Sequence, residues 1–145
     1  MKKKVLFSKH VGQRRPLKES YAQAVQIGDR IVFSSLGGTC FRNGKVITGK
    51  DHAAQTKIIT DHMRSILIEA GADCDDLVRV NFTMRPGTTR TAQIEIAETF
   101  AKAFPGAAYA QRWIEADFPG APGELLKIDG EAVVTSANPK NKEDK

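Results

Sequence analysis

Val78-Arg79-Val80-Asn81-Phe82-Thr83-Met84, closed by Arg85-Pro86-Gly87, is the stretch that decides the fold. Val78, Val80, Phe82 and Met84 alternate with Arg79, Asn81 and Thr83, and strand side chains point to opposite faces with a period of two. The pattern predicts a strand whose apolar face is covered and whose other face is polar. Upstream, Asp51 is placed as an N-cap and Gly71 as a C′ glycine. Between them Ile59, Met63, Ile66, Leu67 and Ala70 recur at helical spacing, which predicts an amphipathic helix. Downstream, Ile94, Ala97, Ala101 and Phe104 predict a second helix over about 91–104, stopped by Pro105-Gly106.

Further out, a strand is expected after Gly28-Asp29, with Ile31 and Phe33 on one face and Val32 and Ser34 on the other. Asn43-Gly44 between Cys40-Phe41 and Val46-Ile47 predicts a hairpin, because both central residues of such a turn favour positive φ. Two more strands are expected at Tyr109–Glu115 and, after the turn-rich Pro119-Gly120-Ala121-Pro122-Gly123, at Leu125–Val134. The order suits an α/β (α+β) domain: a mixed sheet with both helices packed on one face.

The 145 residues, 41% hydrophobic, suffice for one core, so one domain is expected over 1–136. The tail 137–145 is polar and aperiodic and is expected to be disordered. No apolar run approaches a membrane span, and Val5-Leu6-Phe7 is too short for a signal-peptide core, so a cytoplasmic location is expected. Cys40 and Cys74 form no CxxC, and His10, His52 and His62 are scattered; no metal site is expected. All three histidines are read as exposed or on a helix surface. The formal charge of +5 is uneven: Lys2, Lys3, Lys4, Lys9, Arg14, Arg15 and Lys18 crowd residues 1–18 without an acid, leaving 15 basic against 17 acidic residues. That basic N-terminal segment, 1–15 in particular, reads as a solvated arm, since no aromatic-interleaved basic stripe accompanies it. Nucleic acid is not an expected partner.

Several segments in this order resemble the Rid/YjgF family of reactive intermediate deaminases. Tyr21-Ala-Gln-Ala-Val-Gln-Ile-Gly28 is similar to its Y-x-Q-A-V-x-x-G, and Ile31-Val-Phe-Ser-Ser35 to the strand entering its Ser-Gly-Gln. Gln55-Thr56, Ile68-Glu-Ala-Gly71, Asp75-Asp76-Leu-Val-Arg-Val and Leu126-Lys-Ile-Asp-Gly-Glu-Ala-Val133 resemble further motifs, so the likeness spans about 16–135. The resemblance implies a chorismate-mutase-like fold, a six-stranded mixed sheet, assembled as a homotrimer with ligand sites in the clefts between subunits. It also implies hydrolysis of reactive enamines or imines to ketones and ammonia, without a metal or organic cofactor.

By the same resemblance, Tyr21 and Ser34 match pocket residues, with Ser35 beside them. Ala110, Ala97 and Lys127 stand where the family has an arginine, an asparagine and a glutamate. Arg112 lies two residues along the strand from Ala110 and so shares its face. It is a candidate for gripping a carboxylate, its planar fork donating two parallel hydrogen bonds; a surface or intersubunit ion pair is the alternative. If the strands align as in the family, Lys127 and Arg112 make the cleft cationic and suited to a small anionic metabolite. Lys127 is then a base or amine nucleophile, or a strand lysine reaching solvent. Asp129, Glu131 and Glu124 are the carboxylates available to activate water. Trp113, on the face opposite Arg112, is expected to pack beneath the helices. Two functions are weighed: hydrolytic deamination of an anionic enamine or imine, and non-catalytic binding of a metabolite or partner by a trimer. RNA cleavage ranks below both, with no histidine pair or basic groove to carry it.

Overall fold

The alternating stretch becomes β6 (Leu77–Met84), paired antiparallel to β8 (Leu126–Val133) and parallel to β7 (Ala110–Glu115) in a computed structural model that describes residues 2–11 and 21–135. Beyond β8 the sheet continues through β3 (Arg30–Gly37), β2 (Ala24–Ile27) and β1 (Lys3–Leu6), giving six strands in the order β1-β2-β3-β8-β6-β7. Only the β6–β7 pair is parallel, so the sheet is mixed. A separate two-stranded hairpin joins β4 (Thr39–Arg42) to β5 (Lys45–Thr48), with Asn43 and Gly44 at φ 53° and 77°, as the turn requires.

The helices are α1 (His52–Glu69) and α2 (Arg90–Ala103). Asp51 caps α1 by accepting from Ala54 N at 2.8 Å, and Gly71 follows the C-cap at φ 75°. Thr89 caps α2 in the same way, accepting from Ala92 N at 3.1 Å. Ile59, Met63, Ile66 and Leu67 of α1 and Ile96 and Phe100 of α2 meet Ile31, Phe33, Val80, Phe82 and Ile128 of the sheet in one core. Each fully buried side chain of this size contributes roughly 1.5–3 kcal/mol. Phe82 is stacked on Trp113 at 3.9 Å on one side and meets Phe100 edge-on at 5.2 Å on the other, so Trp113 packs on the helix side as expected.

Four expectations need correction. The ordered body does not begin after Gly28: β1 and β2 precede it, and they, not the hairpin strands, complete the six-stranded sheet. Lys3 and Lys4 are exposed on edge strand β1, where lysines discourage further strand pairing, rather than in an unspecialised arm. Val78 is 42% exposed because β6 shifts register between Leu77 and Arg79, which buries Leu77 in its place. In α2 the buried stripe is Ala92, Ile96 and Phe100, with Ile94 at 44% exposure, so the apolar face is rotated from the expected one. Arg14, Arg15, Lys18 and the tail 137–145 lie outside the described residues. No helix among the described residues is long and apolar enough to cross a membrane.

Candidate functional site

A cleft of about 620 Å³ lies where β3 runs into the hairpin, bounded also by α1 and the start of β8. Its walls come from Tyr21 and Gln23 ahead of β2, Ser35 to Gly37 at the end of β3, Thr39 to Phe41 of β4, Val46 of β5, His62 of α1, and Glu124 and Lys127. The volume falls within the range of roughly 300–1,000 Å³ usual for small-molecule sites.

A bulge at Ser34-Ser35 sets the cleft wall. Phe33 pairs with Gly130 and Leu36 with Ile128, so β3 carries one residue more than β8 over that interval. The extra residue turns Leu36 into the core and Ser35 to the cleft. Ser34, by contrast, donates through its hydroxyl to the Ala22 carbonyl and through its amide to the Gln23 carbonyl at 2.8 Å. It anchors the backbone beside Tyr21 and does not line the cleft. Tyr21 does, and burial first, with the negative Glu124 second, pushes its phenol above the usual range. The hydroxyl therefore stays protonated, with a hydrogen to donate.

Glu124 is the central acid of the cleft. It is buried, its Oε1 accepts from Ala121 N at 2.7 Å, and its Oε2 lies 3.4 Å from Lys127 Nζ with no hydrogen-bond partner among the described residues. Its backbone is fixed from three sides. Gln55, itself buried in α1, donates to the carbonyls of Gly49 at 2.9 Å and Gly123 at 2.8 Å and accepts from Leu125 N at 2.8 Å. Arg85 Nε donates to the Glu124 carbonyl at 2.9 Å, and the same guanidinium reaches the Phe118 carbonyl and Asp117 while lying 3.8 Å over the Phe118 ring. Gly37 supplies the space, since a Cβ there would run into the Glu124 carboxylate.

The other sequence candidates lie elsewhere. Asp129 accepts from Asn81 Nδ2 at 2.8 Å, and Glu131 pairs with Arg30 at 2.9 Å. Both share with Arg112 the sheet face turned away from the helices, Asn81 being register partner to both Asp129 and Arg112. None of the three lines the cleft. Among the described residues of one chain the cleft thus holds one cation paired with one carboxylate, where Lys127 and Arg112 were both expected. Lys127 is at once a strand residue and the cation of that ion pair, rather than a lysine reaching solvent.

His62, expected to be exposed or on a helix surface, is instead buried at the inner face of α1. It is 2% exposed, and its Nε2 lies 2.8 Å from the Thr39 carbonyl. Burial first, and the neighbouring His10 after it, lower its pKa against the opposing effects of the Thr39 carbonyl and Asp61. The signal was available in the sequence: Gln55, Ile59, His62 and Ile66 fall on one stripe at i, i+4, i+7 and i+11. Cys40, a buried thiol, also lines the cleft. Among the described residues no group of three or more His, Cys, Asp or Glu could hold a metal ion.

A family model described as Endoribonuclease L-PSP matches residues 12–116. A solved structure of a member of the YjgF/YER057c/UK114 family from Mycobacterium tuberculosis is 27% identical, with a TM-score of 0.71 over 92% of this chain and 100% of that one. The Rid family protein YyfA from Yersinia pestis is 20% identical with a TM-score of 0.73, over 92% and 100% of the two chains. TdcF from E. coli, solved with bound serine, is 16% identical with a TM-score of 0.73, over 91% and 99%. The last two likenesses are of fold alone. No curated protein sequence matches.

Proposed function

The chain belongs to the endoribonuclease L-PSP family, the YjgF/Rid proteins that are deaminases or small-molecule binders, and from that premise we propose that it hydrolyses a small enamine or imine in the cleft around Glu124. One observation carries the reading: a buried carboxylate whose Oε1 is tied to Ala121 N while Oε2 keeps its accepting capacity beside Lys127. An acceptor held in that way can orient a water molecule and take its proton.

The steps balance without a cofactor. Water adds its oxygen to the carbon of the protonated imine while Glu124 Oε2 accepts one of the water's protons, giving a neutral carbinolamine. Glu124 passes that proton to the nitrogen and takes up the hydroxyl proton as the C–N bond breaks; ketone leaves, and ammonia departs as ammonium with the proton from Glu124. Lys127 offsets the charge that moves on and off Glu124, and the protonated Tyr21 hydroxyl donates to substrate oxygen or nitrogen. The electrophile is reactive, so orientation and a proton route account for most of the gain. Asp129 and Glu131, engaged by Asn81 and Arg30, have no part in this chemistry.

The assembly that accompanies this reading is a homotrimer in which the open sheet face lies against a neighbour. Arg112, exposed on that face, then reaches an adjacent subunit's cleft and grips the substrate carboxylate. Light scattering giving three times the 15.9 kDa chain mass supports this, and a monomer contradicts it. Ammonia release from 2-iminopropionate generated in solution tests the chemistry. A ligand-induced rise in Tm without turnover would instead make the chain a binder.

A further inference from the structure

We propose that the cleft has a second polar region, built from the neutral side chains of His62 and Thr39, that selects ligands carrying a side-chain carboxamide. The inference deepens the imine-hydrolase reading by naming its substrate class, an amide-bearing 2-imino acid, but the binding part stands apart from catalysis.

Three buried side-chain polar atoms lack a hydrogen-bond partner among the described residues: Thr39 Oγ1, His62 Nδ1 and Glu124 Oε2. All three residues line the same cleft. A buried polar atom left unpaired costs on the order of 1–3 kcal/mol, and native structures contain few of them. Their gathering at one cavity is the pattern expected where a ligand supplies the partners.

The polarity each atom demands follows from its surroundings. A carbonyl only accepts, so His62 Nε2, 2.8 Å from the Thr39 carbonyl, carries the hydrogen. In the neutral ring that leaves Nδ1 as an acceptor. The groups facing His62 are His10 on the 3-10 turn at Lys9–Val11, with ring centroids 6.0 Å apart, and Asp61 on its own helix. Their opposing effects and the dominant burial keep the imidazole neutral. Thr39 Oγ1 both donates and accepts. This region therefore requires a donor for Nδ1 and tolerates either partner at the hydroxyl.

A carboxamide meets both demands: its NH2 donates to Nδ1 and its carbonyl accepts from Thr39 Oγ1. A carboxylate would set acceptor against acceptor, and an alkyl group would leave both atoms unpaired. The size agrees, since about 620 Å³ exceeds what a three-carbon imine fills, leaving room for a longer side chain.

The test is calorimetric binding of three non-reacting probes of similar length: L-glutamine, L-glutamate and L-methionine. The expected order is L-glutamine at least about tenfold tighter than L-methionine, with L-glutamate weakest. His62→Leu, and separately Thr39→Val should the first variant misfold, is expected to abolish the preference, bringing L-glutamine to the affinity of L-methionine in the same variant. Equal binding of L-glutamine and L-methionine by the wild type, no binding of any probe at 10 mM, or selectivity that survives both substitutions overturns the proposal. Its failure is separable from that of the hydrolase reading. Turnover of 2-iminopropionate without amide preference removes the second region alone, and amide-selective binding without turnover removes the chemistry alone.

Discussion

Replacing Gln55 with leucine should destabilise the protein and disable the cleft together. Gln55 is 1% exposed and makes three hydrogen bonds, to the Gly49 carbonyl, the Gly123 carbonyl and the Leu125 amide. Leucine fills nearly the same volume and satisfies none of them. Gly123 is exposed and Gly49 half-buried, so water can recover part of the loss at the two carbonyls. Each bond is therefore taken at its net worth of about 1 kcal/mol, for a total of about 3 kcal/mol. At roughly 2.1 cal/mol/K per residue of unfolding entropy, that lowers Tm by about 10 °C in a chain of 145 residues. The assay is urea unfolding at fixed protein concentration, so that any assembly equilibrium contributes equally to both proteins. The midpoint should fall with m unchanged. Because Gly123 and Leu125 flank Glu124, ammonia release should fall as well, even in the fraction that remains folded. A loss below about 1 kcal/mol, or full activity in the variant, would refute the clamp.

Gly37→Ala places a methyl against the Glu124 carboxylate and should cost activity out of proportion to stability, read as turnover against Tm in one preparation. The histidine prediction concerns pH. The lowered pKa of His62 means that above 6.5 neither folded nor unfolded chain protonates it, and its contribution to stability is complete. As pH falls below 6.5 the unfolded chain takes up a proton that the fold refuses, so stability declines by up to about 1.4 kcal/mol per pH unit. His62→Leu should flatten that slope between pH 6.5 and 5, measured by urea midpoints. Arg112→Ala should raise KM for a carboxylated imine about tenfold with kcat little changed, as loss of a binding contact requires; unchanged KM would return Arg112 to the surface.

Much of the scaffold was legible because its signals are local. Asp51 and Gly71 mark the ends of α1, Asn43-Gly44 marks the hairpin, and the alternation at 78–84 marks β6. What escaped depends on tertiary partners. Ala24–Ile27 is too short to announce a strand, and β1 shows little beyond its lysines; both become strands through the neighbours they pair with. The rotated face of α2 follows from where the Phe82–Phe100–Phe104 cluster lies, which spacing alone did not distinguish from the stripe through Ile94. In the cleft, Tyr21, Ser35, Lys127 and Glu124 were all in view, but nothing local raised Glu124 above Asp129 and Glu131. Its standing comes from Gln55, Arg85 and Gly37, residues 69, 39 and 87 positions away in sequence. His62 was passed over because three scattered histidines were judged together, although its place on the buried stripe of α1 set it apart.

The central claim is that Glu124 activates water in this cleft, and the most direct measurement is ammonia release from 2-iminopropionate by wild type and Glu124→Gln. Glutamine keeps the bond from Ala121 N through its carbonyl and removes the accepting charge. The wild type should release ammonia faster than buffer, and the variant should fall by roughly 10²–10⁴ with folding retained. Wild-type release no faster than buffer, or a variant as active as wild type, would contradict it.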